Sequence, residues 1–308
     1  MYKKMLVPLA VSELSAATLP YAKELAARLD LVVILLHVLS QEERGTISQL
    51  KADIDHKVEI VKRQAEEAKE RIGIELKDRP VQVLGEVAIG SPSEEITRYA
   101  VEKDVDLILM ATHARSGIRR LVMGSVTDKV IRTSNVPVWL VRPGAPEEVI
   151  YDHWPGRTLL VPLDGSEPAE VVLPDVEALA KQHSTENVNV ILLRSYTRPK
   201  PLLVDEPGTA LIYESVQTEA AFRRQMAEKY LAHIESQLND KGLSVRSEVM
   251  EGMPAEQIID YANKNPYNVV VISTKARAGL RRAAGGSVAA SVLQKADSPV
   301  VLVRIPTD

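Results

Sequence analysis

Short apolar runs alternate with longer amphipathic stretches along the first half of the chain. The apolar runs predict buried strands over 4–9, 32–38, 81–89, 105–111 and 136–142. The segments between them carry apolar residues at helical spacing, which predicts helices over 17–29, 43–72, 91–103 and 125–134. Strands that alternate with helices predict a parallel sheet built from right-handed βαβ units.

The second half repeats this order. Its predicted strands are 157–163, 188–194, 243–250, 267–273 and 298–304. The peptide "LVPL" occurs twice, and "ATHARSGIRRLVMGSVTDKVIRTSNVPVWLVR" (111–142) matches "STKARAGLRRAAGGSVAASVLQKADSPVVLVR" (273–304) in one register. We therefore predict an α/β fold with two tandem, doubly wound, five-stranded parallel-sheet domains. Their predicted limits are 1–143 and 157–308, joined by a Pro- and Gly-containing linker at 144–156.

The fifth predicted strand of each half, "VPVWLVR" or "SPVVLVR", is strongly apolar. An exposed apolar edge strand invites aggregation unless it is paired or covered. We expect the two edges to pair within the chain as an intramolecular pseudo-dimer, with Trp139 at or near the interface. Coverage of each edge by a loop is the alternative, and a homodimer of the whole chain is left open.

Composition narrows the classes of function. The 308 residues include no Cys and six scattered His, and the net charge is −4. The absence of Cys excludes disulfides, thiolate catalysis and Cys-based metal sites, and no metal site is predicted. The net charge argues against nucleic acid as a partner. Without a signal peptide or an apolar run long enough to span a bilayer, a cytoplasmic protein with no membrane partner is expected.

The repeat unit resembles the universal stress protein family in tandem form. The resemblance rests on "LVPLDGSEPA", "GMPAEQIIDYA", "ILLHV", "MATHARSG" and the segment 273–304, and it covers essentially the whole chain. It implies an adenine nucleotide alpha hydrolase-like fold and a role in stress response. It also implies that the fifth strands, 136–142 and 298–304, correspond to the edge used for dimerisation in the family, which supports the expected pairing of the two edges within the chain. It also implies that nucleotide-binding members carry an Asp after the first strand, which meets the adenine or ribose. In those members a loop wraps the phosphates of the nucleotide. The pattern of this loop is Gly-x-x-Gly, nine residues, then Gly-Ser or Gly-Thr.

The second half keeps part of this pattern. Asp164 is present, and the loop reads Ser273-Thr274-Lys275-Ala276, nine residues, then Gly286-Ser287. A Gly-Ser at a helix start offers backbone N–H donors and the positive end of the helix dipole to phosphate. The predicted nucleotide-binding residues are Pro162, Leu163, Asp164, Ser195, Ser273, Lys275, Ala276, Gly286, Ser287 and Val288. The expected ligand is ATP or AMP, with Mg²⁺ accompanying ATP. The competing interpretation makes Asp164 a turn residue and Ser287 a helix cap.

The first half departs further from the pattern. Ala10 stands where the second half has Asp164, and both early glycines of the loop are Ala. We expect a degenerate site that keeps a structural role. Its positions are Ala10, Val38, His113, Ala114, Gly124 and Ser125.

Three functions follow from these residues. The preferred one is a stress-response binding protein with an adenine-nucleotide site in the second domain. The alternative is a nucleotide-independent interaction protein whose two sites are vestigial and whose protein partner is unknown. The third, a slow ATP hydrolase, has no carboxylate pair, metal cluster or nucleophile–base pair to support it, so no catalytic residue is assigned.

Overall fold

A computed structural model describes most of the chain. The described residues are 1–9, 14–74, 80–112, 123–143, 150, 154, 157–182, 187–199, 209–265, 268–275 and 287–306. Within helices, the side chains of residues 14–16 and 209–215 are excluded from that description.

The described residues form one ten-stranded sheet. The first half contributes β1 (Lys4–Leu9), β2 (Val32–Leu39), β3 (Val83–Ile89), β4 (Leu107–Ala111) and β5 (Val138–Val141). The second half contributes β6 (Thr158–Pro162), β7 (Asn189–Tyr196), β8 (Ser244–Glu251), β9 (Val269–Thr274) and β10 (Val300–Arg304). The order is β3-β2-β1-β4-β5-β10-β9-β6-β7-β8, and the strands are parallel within each half. The prediction of two doubly wound, five-stranded parallel halves is confirmed.

Helices cover both faces of the sheet. They are α1 (Leu14–Leu29), α2 (Ile47–Arg71), α3 (Pro92–Glu102), α4 (Ser125–Thr133), α5 (Glu167–Glu170), α6 (Leu173–Gln182), α7 (Thr209–Asp240), α8 (Pro254–Lys264) and α9 (Val288–Lys295). One apolar cluster holds α1, α2, α6 and α7 against one face, and a second holds α3, α4, α8 and α9 against the other. The single helix predicted over 43–72 is divided into a 3₁₀ turn, Glu42–Thr46, and α2. Gly45 and Thr46 are poor helix formers, which accounts for the division.

The fifth strands pair within the chain, as predicted. β5 and β10 are antiparallel, with Trp139 opposite Val301 and Leu140 opposite Val300. Trp139 is fully buried, and its ring stacks on that of Trp154 at a centroid distance of 6.3 Å. Because this pairing covers both apolar edges, the sheet ends instead at β3 and β8.

Two equivalent arginines reinforce this interface. Arg142 follows β5 and donates to the carbonyl oxygen of Leu293 in α9 at 3.4 Å. Arg304 ends β10 and donates to the carbonyl oxygen of Thr133 in α4 at 3.2 Å. Each cation thus reaches the C-terminus of the last helix of the other domain, where a positive charge is favourable. The two contacts are related by the internal repeat, so the interface has an approximate two-fold symmetry.

Replacement of either arginine by alanine should weaken the interface. We expect Arg142→Ala and Arg304→Ala each to lower the free energy of unfolding by about 1 kcal/mol, as for partly exposed, charge-assisted hydrogen bonds. Urea unfolding measures the loss. Arg63→Ala, which removes an exposed cation 3.9 Å from Glu67, is the control and should leave the midpoint unchanged. Midpoints equal to the control for both variants would contradict the role of these arginines.

Candidate functional site

A cleft of about 590 Å³ opens at the carboxyl ends of β6, β7 and β9. β6 and β9 are neighbours in the sheet, but the helices that follow them lie on opposite faces. The chain therefore diverges at this point, which is where open α/β sheets bind ligands. The position of the cleft follows from the strand order.

Eight of the ten positions predicted for the second domain line this one cleft. They are Pro162, Leu163, Asp164, Ser195, Ser273, Lys275, Ser287 and Val288. The other two, Ala276 and Gly286, lie outside the described residues. Sequence reasoning missed Ser166, Arg194, Ile258 and Ile272, which also line the cleft. The signal for Arg194 was its place beside Ser195 at the end of a predicted strand.

Asp164 lies at the rim of the cleft in a tight turn. Its Oδ1 atom accepts hydrogen bonds from the backbone N–H of Ser166 at 2.9 Å and from the Ser166 hydroxyl at 2.6 Å. Gly165, between them, has a φ of +89°, a conformation that favours glycine. This is the turn geometry of the competing interpretation. Within the described residues Oδ2 accepts no hydrogen bond.

Apolar side chains form the walls of the cleft between these polar groups. Pro162, Leu163 and Ile272 come from the sheet, and Ile258 and Val288 from the helices beside it. Pro162, Leu163, Ile258 and Ile272 are buried. A mostly apolar cleft with a few convergent polar groups is typical of small-molecule sites, and its volume falls in the usual range.

The N-terminus of α9 closes one side of the cleft. Ser287 is the N-cap residue, and its hydroxyl oxygen accepts from the N–H of Ala290 at 3.2 Å. The N–H groups of Val288 and Ala289 have no acceptor within the helix, because they lie in its first turn. Lys275 is exposed immediately after β9 and lines the same cleft. Free N–H groups, a helix dipole and an ammonium together suit an anionic group such as phosphate.

A chain of side chains lies behind the Asp164 turn. The Arg194 guanidinium carbon lies 4.8 Å from the ring centroid of Tyr230, and the Tyr230 hydroxyl donates to Glu170 Oε1 at 2.7 Å. Burial and the Glu170 carboxylate raise the pKa of Tyr230 well above its usual value, so the hydroxyl stays protonated. A Cβ atom added to Gly165 would lie 2.8 Å from Arg194 Nη1. The guanidinium therefore packs directly against the turn.

The first domain presents a different helix start. Gly124 is the N-cap residue of α4, with no side-chain hydrogen bond, and Ser125 is the first helical residue. Asp128, whose counterpart in the repeat is Ala290, places a largely buried carboxylate in the first turn. This carboxylate is ion-paired with Arg132, whose Nη2 atom lies 3.3 Å from Asp128 Oδ2. Val38 is partly buried in β2, whereas Ala10, His113 and Ala114 lie outside the described residues.

The described part of the chain contains no cluster of His, Asp and Glu suited to hold a metal ion. None of its helices has the length and apolar character needed to cross a membrane. Asp164 is the only carboxylate among the described residues that line the cleft.

Comparisons with known proteins show which proteins this chain is similar to. A universal stress protein of Methanocaldococcus jannaschii is 35% identical over 155 residues, which cover 46% of this chain and 96% of that protein. One of Mycobacterium bovis is 26% identical over 248 residues, covering 80% of this chain and 76% of its own. The crystal structure of a universal stress protein from Archaeoglobus fulgidus shares the fold, with a TM-score of 0.63 at 19% identity and 98% coverage of both chains.

The family model for the universal stress protein family matches the chain twice, over residues 1–142 and 156–304. Each match spans one set of five strands and the helices that cover it. The chain therefore belongs to the universal stress protein family, with two family domains in tandem.

Proposed function

We propose that the second domain binds an adenine nucleotide, ATP or AMP, in the cleft at the ends of β6 and β9. The proposal rests on the convergence of three polar side chains in one cleft. Asp164, Lys275 and Ser287 come from three separate segments and line one cleft whose walls are otherwise apolar. Apolar walls suit a base, whereas the ammonium and the helix N-terminus suit phosphate.

Each polar group has a role in this proposal. The Oδ2 atom of Asp164 accepts a hydrogen bond from a ribose hydroxyl or from the adenine amino group. Lys275 and the N–H groups of Val288 and Ala289 bind phosphate oxygens. Because Asp164 is the only carboxylate among the described lining residues, Mg²⁺ that accompanies ATP is held by phosphate and water.

The first domain serves as the structural half of the tandem in this proposal. Ala10 removes the carboxylate that Asp164 supplies, and α4 has Gly124 as its N-cap residue, without the hydroxyl cap that Ser287 gives to α9. We also propose that the two domains span residues 1–143 and 157–308, that residues 144–156 link them, and that the protein is located in the cytoplasm.

The second candidate is a nucleotide-independent interaction protein. It is favoured by Phe222 and Met226, which lie one turn apart on α7 and are 56% and 48% exposed. Large apolar side chains exposed together are typical of surfaces that contact other proteins. The Asp164 turn then has a structural role alone.

Removal of the Asp164 carboxylate should weaken nucleotide binding. Calorimetric titration of AMP, and of ATP with Mg²⁺, into nucleotide-stripped protein should show one site per chain. Asp164→Ala should raise the Kd about tenfold, the value of one charge-assisted hydrogen bond. Asp240→Ala, an exposed carboxylate at the end of α7, is the control and should keep the wild-type Kd.

The same titration separates the candidates. No heat and no thermal stabilisation at millimolar nucleotide would reject the nucleotide proposal in favour of the interaction protein. Two sites per chain would contradict the structural role of the first domain.

Lys275 should act on phosphate alone. Lys275→Ala should weaken AMP and ATP binding about fivefold and leave adenosine binding unchanged, because the ammonium contributes a charge-assisted contact to phosphate oxygens. Lys264→Ala, an exposed lysine at the end of α8, is the matched control. Equal losses for adenosine and AMP would show that Lys275 does not contact the phosphate.

A further inference from the structure

Arg194 is an unusual residue at the wall of a binding cleft. Within the described residues it forms no ion pair, and its side chain lies between the Tyr230 ring and Gly165. Alternate residues of a strand share a face, so Arg194 lies on the face of Val190 and Leu192, which pack in the cluster that includes α7. The guanidinium therefore supports the Asp164 turn from the α7 side of the sheet.

The contacts close a ring around that turn. Tyr230 is fixed by its hydrogen bond to Glu170, and Glu170 is tied back to the turn through its N–H, which donates to the carbonyl of Ser166 at 3.3 Å. A guanidinium over a tyrosine face is held by a cation–π attraction. Each member of the ring thus either contacts the Asp164 turn or holds a residue that contacts it.

The first half of the chain shows what accompanies the loss of the aspartate. Pro8 pairs with Leu36 as Pro162 pairs with Leu193, so His37 is the counterpart of Arg194. Each of the four residues around the turn has a different residue at the equivalent position of the first half. Asp164 corresponds to Ala10, Glu170 to Ala16, Arg194 to His37 and Tyr230 to Val61.

The register of the last pair is set by the helix ends. Gly73 and Gly242 follow α2 and α7 with φ of +79° and +84°, and Val61 and Tyr230 precede them by the same interval. The half with the aspartate has all three supporting side chains, and the half without it has none of them.

We propose that Glu170, Arg194 and Tyr230 form a brace that positions the Asp164 carboxylate for nucleotide, and that Arg194, although it lines the cleft, acts through Asp164 rather than on the ligand. This inference rests on the function proposed above. A turn that is already ordered in the free protein avoids the entropic cost of ordering it on binding. Arg194 is therefore a positioning residue that acts through Asp164.

A double-mutant cycle tests this dependence. We expect Arg194→Met to raise the Kd for AMP about tenfold in the wild-type background and to have no further effect in Asp164→Ala. Additive losses in the double variant would overturn the proposal, because Arg194 would then act on the ligand independently of Asp164.

The conservative variant Arg194→Lys distinguishes the brace from a simple effect of positive charge. Arg194→Lys keeps the charge but loses the planar group that stacks on Tyr230 and packs on Gly165, so it should bind AMP as weakly as Arg194→Met. Rescue by lysine would overturn the brace in favour of a simple charge effect on phosphate.

Arg246→Met is the matched control, because Arg246 lies on the neighbouring strand β8 and donates to the Tyr261 hydroxyl at 2.8 Å. It should keep the wild-type Kd.

A measurement on the free protein separates this inference from the proposed function. Amide order parameters at Gly165 and Ser166 should be about 0.85 in the wild type and below about 0.6 in Arg194→Met, with the rest of the spectrum unchanged. Unchanged order at the turn would overturn the brace whether or not nucleotide binds. Failure of the wild-type protein to bind AMP would reject the proposed function, and the order parameters would still decide on the brace.

Discussion

Backbone hydrogen bonds between β5 and β10 join two parallel half-sheets that run in opposite directions. The pairing removes two apolar edges and buries Trp139 completely, and it lets Arg142 and Arg304 each reach a helix of the other domain. It also fixes where the two potential sites lie. Within each half the carboxyl ends of the parallel strands point in one direction. Since the two half-sheets run in opposite directions, their carboxyl ends, and the two sites with them, lie on opposite sides of the ten-stranded sheet.

This separation explains how two copies of one domain can differ at their sites while sharing an interface. A change at Ala10 or at α4 leaves the second cleft intact, because no described residue lining that cleft comes from the first domain. The interface arginines, in contrast, are present in both copies. The two halves therefore share the arginines of their interface. They differ at the carboxyl ends of the strands, where only one half has the Asp164 turn and its supporting side chains.

Sequence patterns predicted the features that depend on local periodicity and on topology. The apolar runs marked the ten strands of the described sheet, and the resemblance to the universal stress protein family indicated Asp164, Ser195, Lys275 and Ser287 as site residues. Contacts between distant side chains escaped prediction. Arg194 and Tyr230 meet only because α7 crosses the face of the sheet beside β7, and no local pattern records that crossing. The sequence also left undecided whether Asp164 stabilises its own turn or binds a ligand, because an aspartate followed by Gly165 and Ser166 is compatible with both roles.

We propose that one half of the tandem retains a working nucleotide site. An AMP titration followed by amide chemical shifts locates the ligand on the chain without any substitution. We expect saturable shifts at Asp164, Lys275, Ser287 and Val288, with those of Gly124 and Ser125 unchanged. Shifts confined to the first domain, or no saturable shift in either domain, would contradict it.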